Sequence, residues 1–244
     1  MVVPAYNEQT RIGRSIERMI EYLDSQPYSY ELLIISDGSN DRTNEIVEEM
    51  ANVHPTLQLL SYSPNKGKGY AVRYGILRAD GEFILFSDSD LAAPIEEVEK
   101  LWSHVLNDAD IAIGSRPLKG SNLVVHQPRY RELLGRAFNK AVQLLAVKGI
   151  QDTQCGFKLF RGDCAQDIFS RCRLNGFSFD FEALFLAQKM DYKVAEVPIR
   201  WAHQPGSKVR VLRDGMRMMR DLVWLRFFMF VVRPFAVAYE RRRV

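Results

Sequence analysis

The sequence predicts an α/β protein in which a mostly parallel sheet is flanked by helices. Three observations carry this. Short apolar runs alternate with stretches of helical period, the pattern of βαβ units. A polar cluster follows each of the first four runs, and open α/β sheets bind ligands at the carboxyl ends of their strands. The composition, 47% hydrophobic and 26% charged over 244 residues, is that of a folded globular chain.

The elements follow in order. Strands are predicted at Val2–Ala5, Glu31–Ser36, Leu57–Ser61, Phe83–Ser87 and Asp110–Gly114. Amphipathic helices fall between them near Glu8–Ser25, Asp41–Val53, Gly69–Ala79 and Ile95–Leu106. Asn40 or Asp41 ahead of Glu45 gives the second helix a capping signature. From about Pro117 the rhythm breaks. A loop over Lys119–Pro128 leads into a helix near Arg131–Val147, then a run from Gln154 to Lys158, two more helical patterns and a strand at Val194–Ile199. The last forty or so residues are basic and apolar together.

The length suits one large domain, or one domain with an appendage. We divide it as 1–208, with halves of about 1–116 and 117–208, followed by a tail over 209–244. Three cysteines cannot fully pair and point to a reducing compartment. A net charge of +3 is too small for a general nucleic-acid binder, so no nucleic-acid partner is expected. Met1-Val2-Val3-Pro4 carries neither the basic nor the apolar part of a signal peptide. A buried strand starting at Val2 leads us to expect further residues ahead of Met1. Arg226 and Arg233 interrupt the most apolar stretch, Leu222 to Ala238, so no transmembrane helix is predicted.

The polar clusters are Pro4-Ala5-Tyr6-Asn7-Glu8, Asp37-Gly38-Ser39-Asn40-Asp41, Asn65-Lys66-Gly67-Lys68-Gly69 and Asp88-Ser89-Asp90. Gathered on one edge, they offer carboxylates, two lysines and a Gly-rich loop, a set suited to a nucleotide. Asp88 and Asp90 follow a strand, where hard oxygen ligands hold Mg²⁺ or Mn²⁺ with a diphosphate. The second D-x-D, Asp108-Ala109-Asp110, precedes a strand and reads as a solvated turn. Neither G-x-x-x-x-G-K-[ST] nor G-x-G-x-x-G is present at the first strand, which argues against a P-loop or a dinucleotide dehydrogenase. Cys155 has no His motif beside it and reads as a packed thiol.

With these residues in view, the chain resembles family 2 glycosyltransferases of the GT-A fold. Gly114-Ser115-Arg116, the run Asp152 to Phe160, Phe179-Asp180-Phe181-Glu182 and Gly206-Ser207-Lys208 are similar to dolichyl-phosphate β-glucosyltransferases. The resemblance implies transfer of glucose from UDP-glucose to a dolichyl or polyprenyl phosphate, with inversion, and dependence on Mg²⁺ or Mn²⁺. By motif position, Pro4, Tyr6, Glu8, Asp37, Lys68, Asp88, Ser89 and Asp90 would bind the nucleotide sugar, and Asp88 and Asp90 the metal. Arg116, Arg131 and Lys208 would bind the acceptor phosphate, with Arg129 a weaker candidate and His203 close by. Asp180 stands where family 2 enzymes often put a catalytic carboxylate; orienting the sugar or capping a helix are its other readings. The related mannosyltransferases place a metal-binding glutamine where this chain has Ala92. Rival functions are a GDP-mannose-dependent mannosyltransferase, transfer to a hydroxyl acceptor, and a non-enzymatic nucleotide-sugar binder.

Beyond Val209, Arg210, Arg213, Arg217, Arg220 and Arg226 interleave with Leu212, Met216, Met219, Val223, Trp224, Phe227 and Phe228. One helix at this spacing is cationic on one face and apolar on the other, as helices lying in a membrane interface are. With the helix near Leu133–Val147 it would attach the protein peripherally to the cytoplasmic face of a membrane, the plasma membrane in a prokaryote or the ER in a eukaryote. Packing of both apolar faces on the domain, or in a homo-oligomer, is the alternative.

Overall fold

The computed structural model describes residues 1–125, 129–204, 208 and 210–231. Seven strands form one sheet in the order β3-β2-β1-β4-β7-β5-β8. They are β1 (Val2–Ala5), β2 (Leu32–Asp37), β3 (Leu57–Tyr62), β4 (Phe83–Ser87), β5 (Ile111–Ser115), β7 (Phe157–Arg161) and β8 (Val194–Pro198). β1 to β4 pair in parallel, and so do β5 and β8. A two-stranded parallel ribbon joins β6 (Asn122–Val125) to β9 (Arg200–Ala202). The helices are α1 (Ile12–Asp24), α2 (Thr43–Ala51), α3 (Lys68–Ile76), α4 (Val98–Leu106), α5 (Arg129–Leu145), α6 (Gly162–Arg171), α7 (Phe179–Lys189) and α8 (Val211–Val231).

Period-2 alternation sorts the central strands between two cores. Val2, Leu33 and Ile35 face one layer with residues of α3, α6 and α7; Val3, Leu32 and Ile34 face the other with residues of α1 and α4. Every residue of β1 and β2 is buried, as expected of strands covered on both sides. α7 is buried along nearly its whole length, so its sequence has little amphipathic period. Leu222 and Leu225 of α8 join the α3 layer. Among the described residues, no helix is long and apolar enough to cross a membrane.

Three features differ from expectation. β7 is a strand that begins within the Asp152–Phe160 run, and it lies antiparallel between β4 and β5. Its lysine at position 158 interrupts the apolar signal of a buried strand. Part of the predicted loop forms β6, whose four residues find a partner only in distant β9. At α2 the capping is not a box. Asp41 Oδ1 accepts from the Thr43 amide at 2.9 Å, while Oδ2 accepts from the Gln9 amide at 3.1 Å, so Asp41 ties the first loop to the second.

A Cβ added at Gly75 of α3 would meet Val2 Cγ1 at 2.5 Å and Ile35 Cγ1 at 2.8 Å. Alanine is favoured over glycine in helices by about 1 kcal/mol, but overpacking a core typically costs about 1–3 kcal/mol. We therefore expect Gly75→Ala to lower stability in urea unfolding; an increase would mean α3 is free to move off the sheet.

Candidate active site

The carboxyl edge of the sheet opens into a cavity of about 770 Å³. Pro4, Tyr6, Glu8, Asp37, Lys68, Asp88, Ser89, Asp90 and Lys208 all line it. The four strand-end clusters therefore meet in one place, as parallel topology requires.

Asp37 ends β2 and is buried. Its Oδ1 accepts from the Lys66 amide at 2.7 Å and the Tyr62 hydroxyl at 3.0 Å. Its Oδ2 accepts from the Gly67 amide and Asn65 Nδ2, both at 2.9 Å. One carboxylate thus organises the whole Asn65–Gly67 loop, which Gly67 enters at φ 103°, a conformation glycine adopts without strain. Glu8 is held by the Arg11 guanidinium, and its amide donates to Thr43 Oγ1 at 2.8 Å.

Beyond this loop, four charges alternate in sign. Asp88 Oδ1 lies 2.6 Å from Lys68 Nζ, and Asp180 Oδ1 lies 2.5 Å from Lys158 Nζ. Burial opposes the charge on Lys68, but Asp88 and then Asp180 outweigh it and hold its ammonium pKa above the ordinary value. Burial raises the Asp180 carboxyl even against Lys158 and Lys68. Lys158 also donates to the Cys155 carbonyl at 2.5 Å. Gly156 permits this arrangement, because a Cβ there would meet Asp88 Oδ2 at 2.1 Å.

Asp90 is raised by burial first and by the Asp88 charge second, while its Oδ1 accepts from the Ala92 amide at 3.1 Å. A carboxylate whose charge is opposed by burial and by its neighbour fits a hard divalent cation, which would relieve that repulsion. Among the described residues no third acidic, His or Cys side chain completes a cluster, and position 92 is the buried Ala92. Diphosphate oxygens and water are the ligands left to fill the shell.

The pattern of Glycosyl transferase family 2 matches residues 1–169. The chain belongs to this family. A dolichyl-phosphate β-glucosyltransferase of Dictyostelium discoideum is 38% identical over 239 residues, spanning 93% of this chain and 73% of the relative. That of Homo sapiens is 34% identical over 240 residues, spanning 93% and 74%. Glucosyl-3-phosphoglycerate synthase of Mycobacterium tuberculosis, solved with Mn²⁺, UDP and glucosyl-3-phosphoglycerate, shares the fold with a TM-score of 0.70. Its identity is 19%, with 92% of this chain and 78% of that one covered. Mannosyl-3-phosphoglycerate synthase of Rubrobacter xylanophilus superposes with a TM-score of 0.63 at 19% identity, covering 93% and 72%. The sheet flanked by helices is thus the GT-A fold.

Within this family 2 glycosyltransferase, two of the sequence candidates stand apart from the cavity lining. Arg116 grips Asp152 with two parallel bonds, Nε to Oδ2 at 2.6 Å and Nη2 to Oδ1 at 2.8 Å. Asp180 is turned into the buried pair with Lys158. Arg131 lies on α5, and its side chain, like that of Arg129, is outside the described residues; so are Gly206 and Ser207. Lys208 donates to the Asn7 carbonyl at 3.1 Å. His203 stacks on Trp201, with ring centroids 6.1 Å apart. Asp108 and Asp110 engage Lys193 away from the cavity, one through its ammonium and the other through its amide. Cys155 is buried, and burial pushes its thiol up to about 12, so it is not a nucleophile at neutral pH.

The sequence reading missed Arg11, Asn175, Arg210 and, on α8, Arg213, Arg217 and Arg220 as cavity residues. It placed Arg210, Arg213, Arg217 and Arg220 toward lipid, whereas they line the cavity. Helical period groups them correctly on one face. It does not say what that face meets.

Two outcomes follow. Gly156→Ala should leave the fold intact yet displace the Asp88 carboxylate, lowering turnover at least about 100-fold; wild-type activity would show that Asp88 is free to shift. Burial opposes the charge on Asp152, but Arg116 outweighs it and holds its carboxyl below the ordinary range. The stability this contributes is present above about pH 4 and lost as pH falls through the lowered value. Chemical unfolding should show wild type more stable than Asp152→Asn at pH 7, with the gap closing below about pH 4. A gap that widens on acidification would refute the pairing.

Proposed function

We propose that this glycosyltransferase moves glucose from UDP-glucose to a dolichyl or polyprenyl phosphate at a membrane surface, forming a β-linked sugar phosphate. The observation that carries the reading is the convergence of a carboxylate pair, a nucleotide-sized loop pocket and a cationic wall in one cavity. The relatives' names supply the sugar and the lipid. GDP-mannose is the alternative donor.

In the reaction, an oxygen of the acceptor phosphate attacks the anomeric carbon. The bond from that carbon to the donor's β-phosphate oxygen breaks, and its electron pair leaves with UDP, inverting the centre. The acceptor is an anion at neutral pH, so no residue has to take a proton from it. The position of Asp180 supports this choice over a hydroxyl acceptor, since a base tied to a buried lysine is poorly placed to reach substrate. Asp88 and Asp90 would hold Mg²⁺ or Mn²⁺, which would stabilise the leaving diphosphate. The M. tuberculosis neighbour was solved with Mn²⁺, which favours that ion. Pro4, Tyr6 and the loop organised by Asp37 would enclose base and ribose. Lys68, between Asp88 and Asp180, would sit beside the phosphates. Arg116, Arg131 and Lys208 are assigned to the acceptor side.

Attachment to the membrane rests on apolar residues that the fold leaves in water. Met216 and Phe227 of α8 are 69% and 67% exposed, and Leu133 and Leu144 of α5 are 70% and 76% exposed. The two helices pack together, and each leaves large apolar side chains exposed. We assign residues 1–208 to the catalytic domain and 209–244 to a segment that joins it to lipid at the cytoplasmic face, that of the ER in a eukaryote.

Radiolabelled UDP-glucose, a short polyprenyl phosphate and Mn²⁺ should yield a glucosyl lipid, and EDTA should abolish it. Transfer from GDP-mannose alone would overturn the sugar, and transfer only to a hydroxyl acceptor would overturn the mechanism. Asp88→Asn and Asp90→Asn should each lower kcat at least about 100-fold. Co-sedimentation with anionic vesicles should fall when Met216, Met219 and Phe227 are all replaced by Ser; unchanged binding would place the membrane contact elsewhere.

A further inference from the structure

α8 presents three sectors. Met218, Leu222 and Leu225 turn inward and are buried. Met216, Met219, Val223 and Phe227 are exposed and apolar. Between these sectors lies the third, on which Arg213, Arg217 and Arg220, with Arg210 just ahead of the helix, line the cavity that also holds Asp88 and Asp90. An interfacial helix on the surface of a domain needs only two faces, apolar and solvated. The third face has another reason to exist.

The charge pairing narrows that reason. Arg220 is bound to Asp221, which also accepts from Ser178 at 2.7 Å. Arg210, one residue ahead of the helix, donates to Asp214 only through its backbone amide, so its guanidinium is outside that bond. Lys68 is committed to Asp88, and Arg11 to Glu8. Arg213 and Arg217 have no ion-pair or hydrogen-bond partner among the described residues. They are four residues apart on one helix face, where like charges are neighbours and repel. Both residues line the cavity that also holds the Asp88–Asp90 pair and Lys68. A dianionic group seated between them would turn that repulsion into two charge-assisted, bidentate contacts.

We propose that Arg213 and Arg217 form a phosphate-binding wall, supplied by the C-terminal helix, that closes the cavity over a phosphate of the substrates. The inference rests on the proposed transfer reaction and adds to it a pair of binding residues on the helix that also meets lipid. Two phosphates pass through the site, the donor's diphosphate and the lipid's monophosphate, and both have the chemistry this wall recognises.

The test uses the full chain with Arg213→Ala and Arg217→Ala combined, and Arg14→Ala, an exposed arginine on α1, as control. Two affinities are measured directly: UDP by calorimetry with Mn²⁺ present, and a short polyprenyl phosphate in detergent. A loss of UDP affinity of about tenfold or more places the donor diphosphate on the wall. Unchanged UDP affinity with a similar loss for the lipid phosphate places the acceptor there. In either case Arg217→Lys should restore part of the loss, and the difference from wild type should shrink at high salt. Both affinities within twofold of wild type, in protein that melts at the wild-type temperature, overturns the proposal. Should the double variant melt early, the single variants carry the measurement, since both side chains are exposed. Because binding is read without turnover, wild type that binds both ligands yet makes no glucosyl lipid would sink the proposed reaction and leave the wall standing.

Discussion

An isolated charge cannot be kept inside an apolar layer, and this constraint organises the catalytic half of the fold. Lys158 points from β7 into the core and must have an anion; Asp180, at the start of α7, is that anion. Removing one partner of such a pair typically costs about 3–5 kcal/mol, because the other is left buried and uncompensated. The pair fixes α7 against β7. β7, hydrogen-bonded between β4 and β5, then sets Gly156 against Asp88. Lys68 completes the series from α3, held by Asp88 on one side and attracted by Asp180 beyond it. The position of Asp88, the carboxylate proposed to hold the metal, is thus inherited from a buried ion pair outside the cavity lining.

This explains why a single antiparallel strand interrupts an otherwise parallel half-sheet. A parallel strand entering there would arrive from the opposite edge and end where β7 begins. The reversed direction brings the chain segment Gln154–Lys158 to the carboxyl edge, where the Asp88 amide donates to the Gly156 carbonyl at 3.0 Å. The longest specific run in the sequence is therefore a structural element whose backbone holds Asp88 from behind the cavity lining.

Much of the site was legible because its residues follow buried strands, and a strand end is a position that apolar pattern alone can mark. Pro4, Asp37, Lys68, Asp88 and Asp90 were found in this way and do meet in one cavity. Pairings between distant residues left no such trace. Nothing in the pattern tells Arg116 that its partner is Asp152, 36 residues on, or that Asp180 answers Lys158. β7 was hidden because a buried lysine breaks the apolar run that betrays a strand, and β6 because four residues are too few to show a period. On α8 the period was correct but did not show that the arginine face lines the cavity, since amphipathicity orders side chains around an axis without naming what lies beyond them.

The single carboxylate of Asp37 carries a thermodynamic consequence. Loops that must be ordered by their ligand subtract the lost conformational entropy from binding, typically about 1–2 kcal/mol for each residue fixed. Here Asn65, Lys66 and Gly67 are already immobilised by hydrogen bonds to Asp37. Their freedom is surrendered when the chain folds, so a nucleotide bound there, as proposed, would meet a preformed cup. On the proposed reading, the fold's stability and the donor's affinity would therefore be linked at β2: a change that loosens this turn would weaken binding without touching any atom of the ligand.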